Sequence, residues 1–227
     1  MEKLKLPQVT LVAMTGKSIP EHIRALKESS RGIEWGKVLL LSPEIDSISW
    51  GNRHDETGFE NFCLENKKIE PIESIDDWNY KIIYDLPNYI STSHCLLIHA
   101  DGFVVSPEKW REFWLEFDYI GAPWPLPGDD YSYRNEDGEI ERVGNSVSLR
   151  SKRLMELIAT RPKEDFWAVR GRYGNSNEDG FICCHNRKWL ESQGCKFAPL
   201  EVAVHFSKEH TIEENKDVKE TFCFHSL

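Results

Sequence analysis

Cys95-Leu96-Leu97-Ile98-His99-Ala100-Asp101-Gly102 is a short apolar run that ends on an acidic residue and a glycine. Such a run, bounded by a turn signal, suits a strand buried on both faces, as in parallel sheets covered by helices. Val9-Thr10-Leu11-Val12-Ala13-Met14-Thr15-Gly16 has the same character and is closed by Gly16. So does the segment 37–42, with Val38-Leu39-Leu40-Leu41. Between these two, Ser18 and Glu21 have capping-box spacing, Pro20 sits near the first turn, and Ile23 and Leu26 supply an apolar face. That pattern predicts a helix to about Arg31. Strand, helix and strand in this order open a βαβ unit, so the chain reads as α/β with parallel strands.

Residues 43–79 are less regular. Residues 80–86 read as helix before Pro87 interrupts it. Ser106 as cap and Pro107 at the first position predict a helix carrying Trp110, Phe113, Trp114 and Phe117, an aromatic stripe read as core. Residues 118–124 read as a strand entering a turn, and the polar stretch 125–141 as a flexible loop that closes over ligands. A strand at 146–150 leads to a helix capped by Ser151. Another helix opens at Asn177-Glu178-Asp179-Gly180 and ends near Gly194, and strands near 197–206 and 221–225 close the chain. Without a repeat or linker, residues 1–227 read as a single domain.

Composition narrows the function. A chain of 227 residues with 40% hydrophobic content can bury one substantial core. A net charge of −10 argues against nucleic acid, whose backbone attracts clustered Lys and Arg. An acidic protein that binds a diphosphate needs local basic groups, helix N-termini or a metal ion, so a metal is worth seeking. No run approaches the roughly 20 apolar residues of a membrane span, and MEKLKLPQVT lacks a signal-peptide core. The expected location is the cytoplasm, with peripheral membrane association left open. The six cysteines have no framework spacing and read as reduced thiols.

Ligands collect at the carboxyl ends of parallel strands, where Asp101 falls. It is either a metal ligand or a turn-capping Asp before Gly102. Glu178 and Asp179 at a helix start are either a catalytic pair or dipole complements. Gly144-Asn145 precedes a strand where backbone can approach a ligand. Thr15 and Gly16, at the end of the first strand, are placed by topology to meet nucleotide base and ribose. Cys183-Cys184-His185 with Cys195 and His205 lacks any CxxC pair, which argues against zinc. No Gly-x-Ser-x-Gly elbow or P-loop is present.

The order Leu96-Leu97-Ile98-His99-Ala100-Asp101-Gly102-Phe103-Val104, then Pro107 and Trp110, then Phe117-Asp118-Tyr119-Ile120-Gly121-Ala122-Pro123-Trp124, Val143-Gly144-Asn145, Ser148-Leu149-Arg150-Ser151 and Glu178-Asp179 resembles a GT-A-like glycosyltransferase family catalogued as a domain of unknown function. The resemblance runs from about Tyr80 to the C-terminus. It implies a single-domain GT-A fold, a Rossmann-like nucleotide-diphospho-sugar transferase with a mixed, mostly parallel central sheet flanked by helices. Residues 1–105 would form the nucleotide-sugar half and 106–227 the acceptor half. It implies Mn²⁺ or Mg²⁺ held by Asp101, the last residue of the family's acidic motif, and by His225; His99 stands where many such enzymes carry another Asp. It makes Asp179 the preferred base and Glu178 an orienting residue or acceptor contact, with the roles open to reversal. The family pattern continues Asn-Gly-Gly-Phe-Ser-Leu-Arg, whereas this chain has Asn145-Ser146-Val147-Ser148-Leu149-Arg150, one residue shorter and without both glycines.

The expected activity is metal-dependent transfer of a sugar from a nucleotide-sugar donor, a UDP-sugar, to a glycan or glycolipid acceptor, with inversion. Two other readings stand beside it. An inert glycan- or nucleotide-binding module would explain the lost glycines, and a sugar nucleotidyltransferase would share the sheet and metal.

Overall fold

The computed structural model describes residues 3–44, 63–173 and 176–226, with backbone alone for 170–173. Of the irregular stretch 43–79, residues 45–62 lie outside the described residues. The apolar runs form strands. β1 (Leu4–Met14), β2 (Ile33–Ser42) and β4 (His94–Leu97) are joined by the edge strand β3 (Glu65–Lys68), and β5 (Tyr119–Pro123) and β6 (Val143–Ser151) complete a six-stranded sheet. Its order is β3-β2-β1-β4-β6-β5, with β1–β2, β1–β4 and β2–β3 parallel and β4–β6 and β5–β6 antiparallel. The chain moves outward from β1 to β2 and β3, then returns to β4 on the other side of β1. The carboxyl ends of β1 and β4 therefore flank the topological switch point, where open α/β sheets bind ligands.

α1 (Ile19–Ser29) packs Ile23, Ala25 and Leu26 against the sheet, while α2 (Ile75–Tyr84) contributes Trp78, Ile82 and Ile83. The remaining helices are α3 (Lys152–Ile158), α4 (Lys163–Tyr173), the single turn α5 (Glu178–Gly180), α6 (Arg187–Ser192) and α7 (Leu200–Phe206). A π-helical segment, Phe181–His185, joins α5 to α6. A short parallel pair, β7 (Ser207–Lys208) with β8 (Cys223–Phe224), lies near the C-terminus. Among the described residues, no helix is long and apolar enough to cross a membrane.

Four local expectations are corrected. Ser18 adopts a left-handed conformation, φ 52°, and its side chain makes no cap bond, since that backbone turn does not aim the hydroxyl at the helix's free N–H groups. The helix expected from Tyr80 begins at Ile75, where Ser74 Oγ accepts from Asp77 N at 3.1 Å. The aromatic stretch after Ser106 is not an α-helix but two 3₁₀ turns, Pro107–Lys109 and Glu112–Glu116, broken by an extended Trp110. This break lets Trp110 meet both Trp114 and Phe222 edge-on at 5.4 and 5.3 Å; Trp114 is fully buried and Trp110 and Phe117 pack partly buried against the core as expected, whereas Phe113 is 41% exposed. Of the residues expected as strand near 197–206, Phe197 makes a parallel bridge to Tyr119, but Leu200–Phe206 form α7, which follows Pro199 and turns Ala203, Val204 and Phe206 inward. Val202 and Val204 favour strands locally, but helical spacing is what seats Phe206 against Trp114, ring centroids 5.2 Å apart.

Candidate active site

Just beyond β4 the chain makes a tight turn in which His99 N donates to Gly102 O at 2.8 Å. The C-terminal segment is laid against this turn: Phe224 N donates to Phe103 O at 3.2 Å and Ser226 N to Asp101 O at 2.9 Å. A Cβ on Gly102 would lie 2.7 Å from His225 Cδ2 and 2.6 Å from Val147 Cγ2, so glycine is what lets the His225 ring close on the turn. His99, Asp101 and His225 thereby converge, each offering a ligand atom within 4.8 Å of the others. His225 Nε2 stands 3.7 Å from Asp101 Oδ1, and the Asp101 side chain is 64% exposed.

The donor set fits a divalent cation. Two ligand atoms about 2.1 Å from a shared ion lie about 3 to 3.5 Å apart, so small side-chain movements suffice. His99 Nε2 is buried and has no hydrogen-bond partner among the described residues. Burial, with His225 beside it, pulls His99 down to about 3, so its imidazole is neutral and able to ligate. Burial acts the same way on His225, but the facing Glu209, then Asp101 and Asp179, raise it above the ordinary imidazole value.

The second half of the site comes from β6 and the turn α5. Between Ile120 and Ala122 of β5, the partner residue on β6 jumps from Leu149 to Gly144, and this bulge turns Asn145 and Ser146 to the sheet's ligand-binding edge. Asn145 is left-handed, φ 82°, a conformation asparagine tolerates better than most residues, and its Oδ1 accepts from Val147 N at 2.9 Å. The segment thus makes its turn without the glycines of the family pattern. Gly144 is required for a different reason, because a Cβ there would fall 1.9 Å from Trp124 Cζ2. Gly144→Ala is expected to cost about 1–3 kcal/mol by overpacking and to displace Trp124, read as a lowered Tm with altered tryptophan fluorescence.

α2 fixes the other carboxylates. Asp76 Oδ1 accepts from Ser176 N at 3.0 Å and Asn79 Oδ1 from Glu178 N at 3.1 Å, which anchors the entrance to α5. Glu178 is fully buried, with Oε2 on Arg150 at 2.9 Å and Oε1 unpartnered among the described residues. Asp179, one residue on, faces the cavity. Burial and the Glu178 charge raise it to about 7, against the opposing Gly180 N–H and Arg150.

A cavity of about 580 Å³ joins these parts, within the size range of small-molecule sites. His99, Asp101, His225, Asn145, Asp179 and Glu209 all line it, as does Tyr133 stacked on Trp124 at 4.7 Å. Thr15, Gly16, Gly144 and Glu178 do not. Thr15 is buried, its hydroxyl engaged with Lys17 O and Lys17 N. Gly16 abuts Ile72, whose Cβ would be 2.9 Å from an added Cβ. The loop 125–141 reaches the cavity through Ser132, Tyr133 and Arg134. It is knit internally around Asn135, whose Nδ2 donates to Glu139 at 3.0 Å and Glu141 at 2.9 Å, and Arg187 and Lys188 in α6 pair with Glu141 and Glu139.

Two participants are not legible in the sequence. His99 reads only as a departure from an acidic motif, and its alternation with Asp101 at a strand end is the available signal. Glu209 carries none, since nothing local distinguishes it from other surface carboxylates.

The sheet, its switch point and the cavity at the carboxyl ends of its strands define a GT-A glycosyltransferase fold. Residues 78–225 match a family of proteins of unknown function, DUF5672, and the chain belongs to that family. No curated protein matches it in sequence. Among solved structures, an active-site variant of LgtC superposes with TM-score 0.53 at 13% identity, over 96% of this chain and 86% of that one. The galactosyltransferase LgtC with donor and acceptor sugar analogs gives 0.52 at 14% identity over the same shares. The glycosyltransferase GlyE of Streptococcus pneumoniae gives 0.52 at 12% identity, over 99% of this chain but 54% of GlyE.

Proposed function

We propose that this protein is a metal-dependent glycosyltransferase that moves a sugar from a nucleotide-sugar donor, a UDP-sugar, to a hydroxyl of a glycan acceptor with inversion. One observation carries the reading: His99, Asp101 and His225, with ligand atoms within 4.8 Å of one another, and Asp179, a carboxylate raised to about 7, line the same cavity at the switch point. The donor would lie across the carboxyl ends of β1 and β4, its nucleotide toward Ile75, Trp78 and Asn79 of α2 rather than the occluded Thr15 and Gly16, and its diphosphate at His99, Asp101 and His225. A bound Mn²⁺ or Mg²⁺ supplies positive charge against the departing diphosphate. Asp179 accepts the proton of the acceptor hydroxyl as attack proceeds, and its raised proton affinity suits a base at neutral pH. Asn145 and Ser146 line the cavity between the two groups, where the sugar would lie. The stacked Trp124 and Tyr133 supply an apolar wall for the acceptor. Residues 1–105 thus serve mainly the donor and 106–227 the acceptor.

Thermal shift with UDP-sugars, with and without Mn²⁺, tests the donor and metal assignments. Saturation at about 100 times Kd stabilises by about 2.7 kcal/mol, a Tm rise of about 5–10 °C that depends on the metal. Asp101→Asn is expected to lose the metal-dependent part of that rise while keeping its unliganded Tm. A donor shift of equal size without metal, or unchanged in Asp101→Asn, would remove the metal role. Proton NMR of the product's anomeric centre checks the stereochemistry: retained configuration would exclude a direct base role for Asp179.

A further inference from the structure

We propose that Glu209 is the positioning residue of the metal site, holding His225 with its Nδ1–H toward the Glu209 carboxylate and its Nε2 free for the cation shared with Asp101 and His99. The proposal rests on the metal assignment above and names a residue that assignment does not contain.

The pairing of β7 with β8 places the two side by side. Ser207 pairs with Cys223 and Lys208 with Phe224, so the same parallel register continued by one residue sets Glu209 beside His225. His225 N donates to Lys208 O at 2.9 Å, which fixes the histidine's backbone next to Glu209. The two ring nitrogens then face different partners: Nδ1 lies 3.2 Å from Glu209 Oε1, and Nε2 lies 3.7 Å from Asp101 Oδ1.

The Glu209 side chain is only 13% exposed, so its charge has left most of its water and requires partners. Its other oxygen stands 3.5 Å from His210 Nε2, and Glu209, His210 and His225 line the same cavity. Glu209 therefore orients His225, and His225 meets the cation. A carboxylate behind a metal-bound histidine selects the ligating tautomer and strengthens the ligand. At 3.2 Å the Nδ1 contact is within ion-pair reach of Glu209 but is not aligned as a hydrogen bond.

The test uses the 227-residue chain with Mn²⁺ as probe. Long-range ¹H–¹⁵N correlation on the metal-free protein reports which nitrogen of the neutral His225 ring carries the proton, and titration calorimetry reports the Mn²⁺ affinity. Wild type is expected to show the Nδ1–H form. Glu209→Ala is expected to shift the ring toward Nε2–H and to weaken Mn²⁺ binding by about 10- to 100-fold. Glu209→Gln keeps an acceptor oxygen, so it is expected to retain the tautomer while losing part of the affinity, and it carries the test if the alanine variant does not fold. An Nε2–H ring in wild type, or Mn²⁺ affinity unchanged in both variants, overturns the role of Glu209 and leaves the metal assignment standing. If wild type itself takes no Mn²⁺, the metal assignment falls, and the proposal falls with it.

Discussion

Asp179→Asn is expected to slow sugar transfer by roughly 10²- to 10⁴-fold, the usual share of general-base assistance, with donor affinity nearly unchanged. The amide keeps the size of the side chain and the bond from Gly180 N, which reaches Asp179 Oδ1 at 2.7 Å, but it cannot take a proton. The wild-type carboxyl is pushed to about 7 by burial and by Glu178, with Glu209 adding to the same effect and Arg150 and the Gly180 N–H opposing it. A base works deprotonated, so transfer by wild type should rise with pH through about 7 and level off above, falling about tenfold per unit below. The rate remaining in Asp179→Asn should lack that limb. Normal turnover in the variant with an established acceptor, or loss of donor affinity along with rate, would move the base elsewhere.

The second large effect concerns stability. Arg150 and Glu178 are 1% and 0% exposed, and their ion pair at 2.9 Å is supported by Arg150 Nε on Ser148 Oγ at 2.8 Å and by the Tyr119 ring 5.3 Å below the guanidinium. Arg150→Met strands a buried carboxylate that already has one unpartnered oxygen. The expected loss is about 3–5 kcal/mol, a drop in Tm of about 6–20 °C. Arg150→Met with Glu178→Leu removes both charges and should recover most of it, because a packed apolar pair often matches a buried ion pair. A double variant no more stable than the single one would show that the network, not the stranded charge, sets the loss. This arrangement bears on the choice between the adjacent carboxylates: Glu178 is committed to Arg150, so Glu178→Gln is expected to act through stability, whereas Asp179→Asn acts on turnover.

The central parallel strands were legible because they are apolar on both faces, whereas the edge strand β3, Glu65-Asn66-Lys67-Lys68, carries no apolar run and was not. β1, β2 and β4 announce themselves as short aliphatic runs, and burial is the only way to satisfy such runs in water. Ser151 was legible as a cap for a local reason, since its Oγ accepts from Leu154 N at 3.0 Å, within one turn. Ser18 shows the limit of the same rule: its spacing to Glu21 is correct, but the backbone leaves β1 in a left-handed turn that no spacing reveals. The aromatic segment after Ser106 and the helix after Pro199 both depart from their local signals, and for one cause. Trp110, Trp114, Phe206 and Phe222 pack on one another across the chain, and that contact, not local preference, decides how each backbone bends.

The site divides in the same way. By itself the sequence determined an α/β chain, a carboxylate at a strand end in Asp101, and a pair of acids at a helix start. Their family pattern added His225 and a preference for Asp179. Only the tertiary structure decided that His99 joins Asp101 and His225, that Glu178 is spent on Arg150 while Asp179 faces the cavity, and that Glu209 stands behind His225. Neighbouring residues on a helical turn point about 100° apart, so adjacency in sequence says nothing about which carboxylate meets substrate. The contacts that separate their roles come from β4, β6, α2 and the C-terminal β7–β8 pair, segments distant in sequence that meet only when the sheet closes its core.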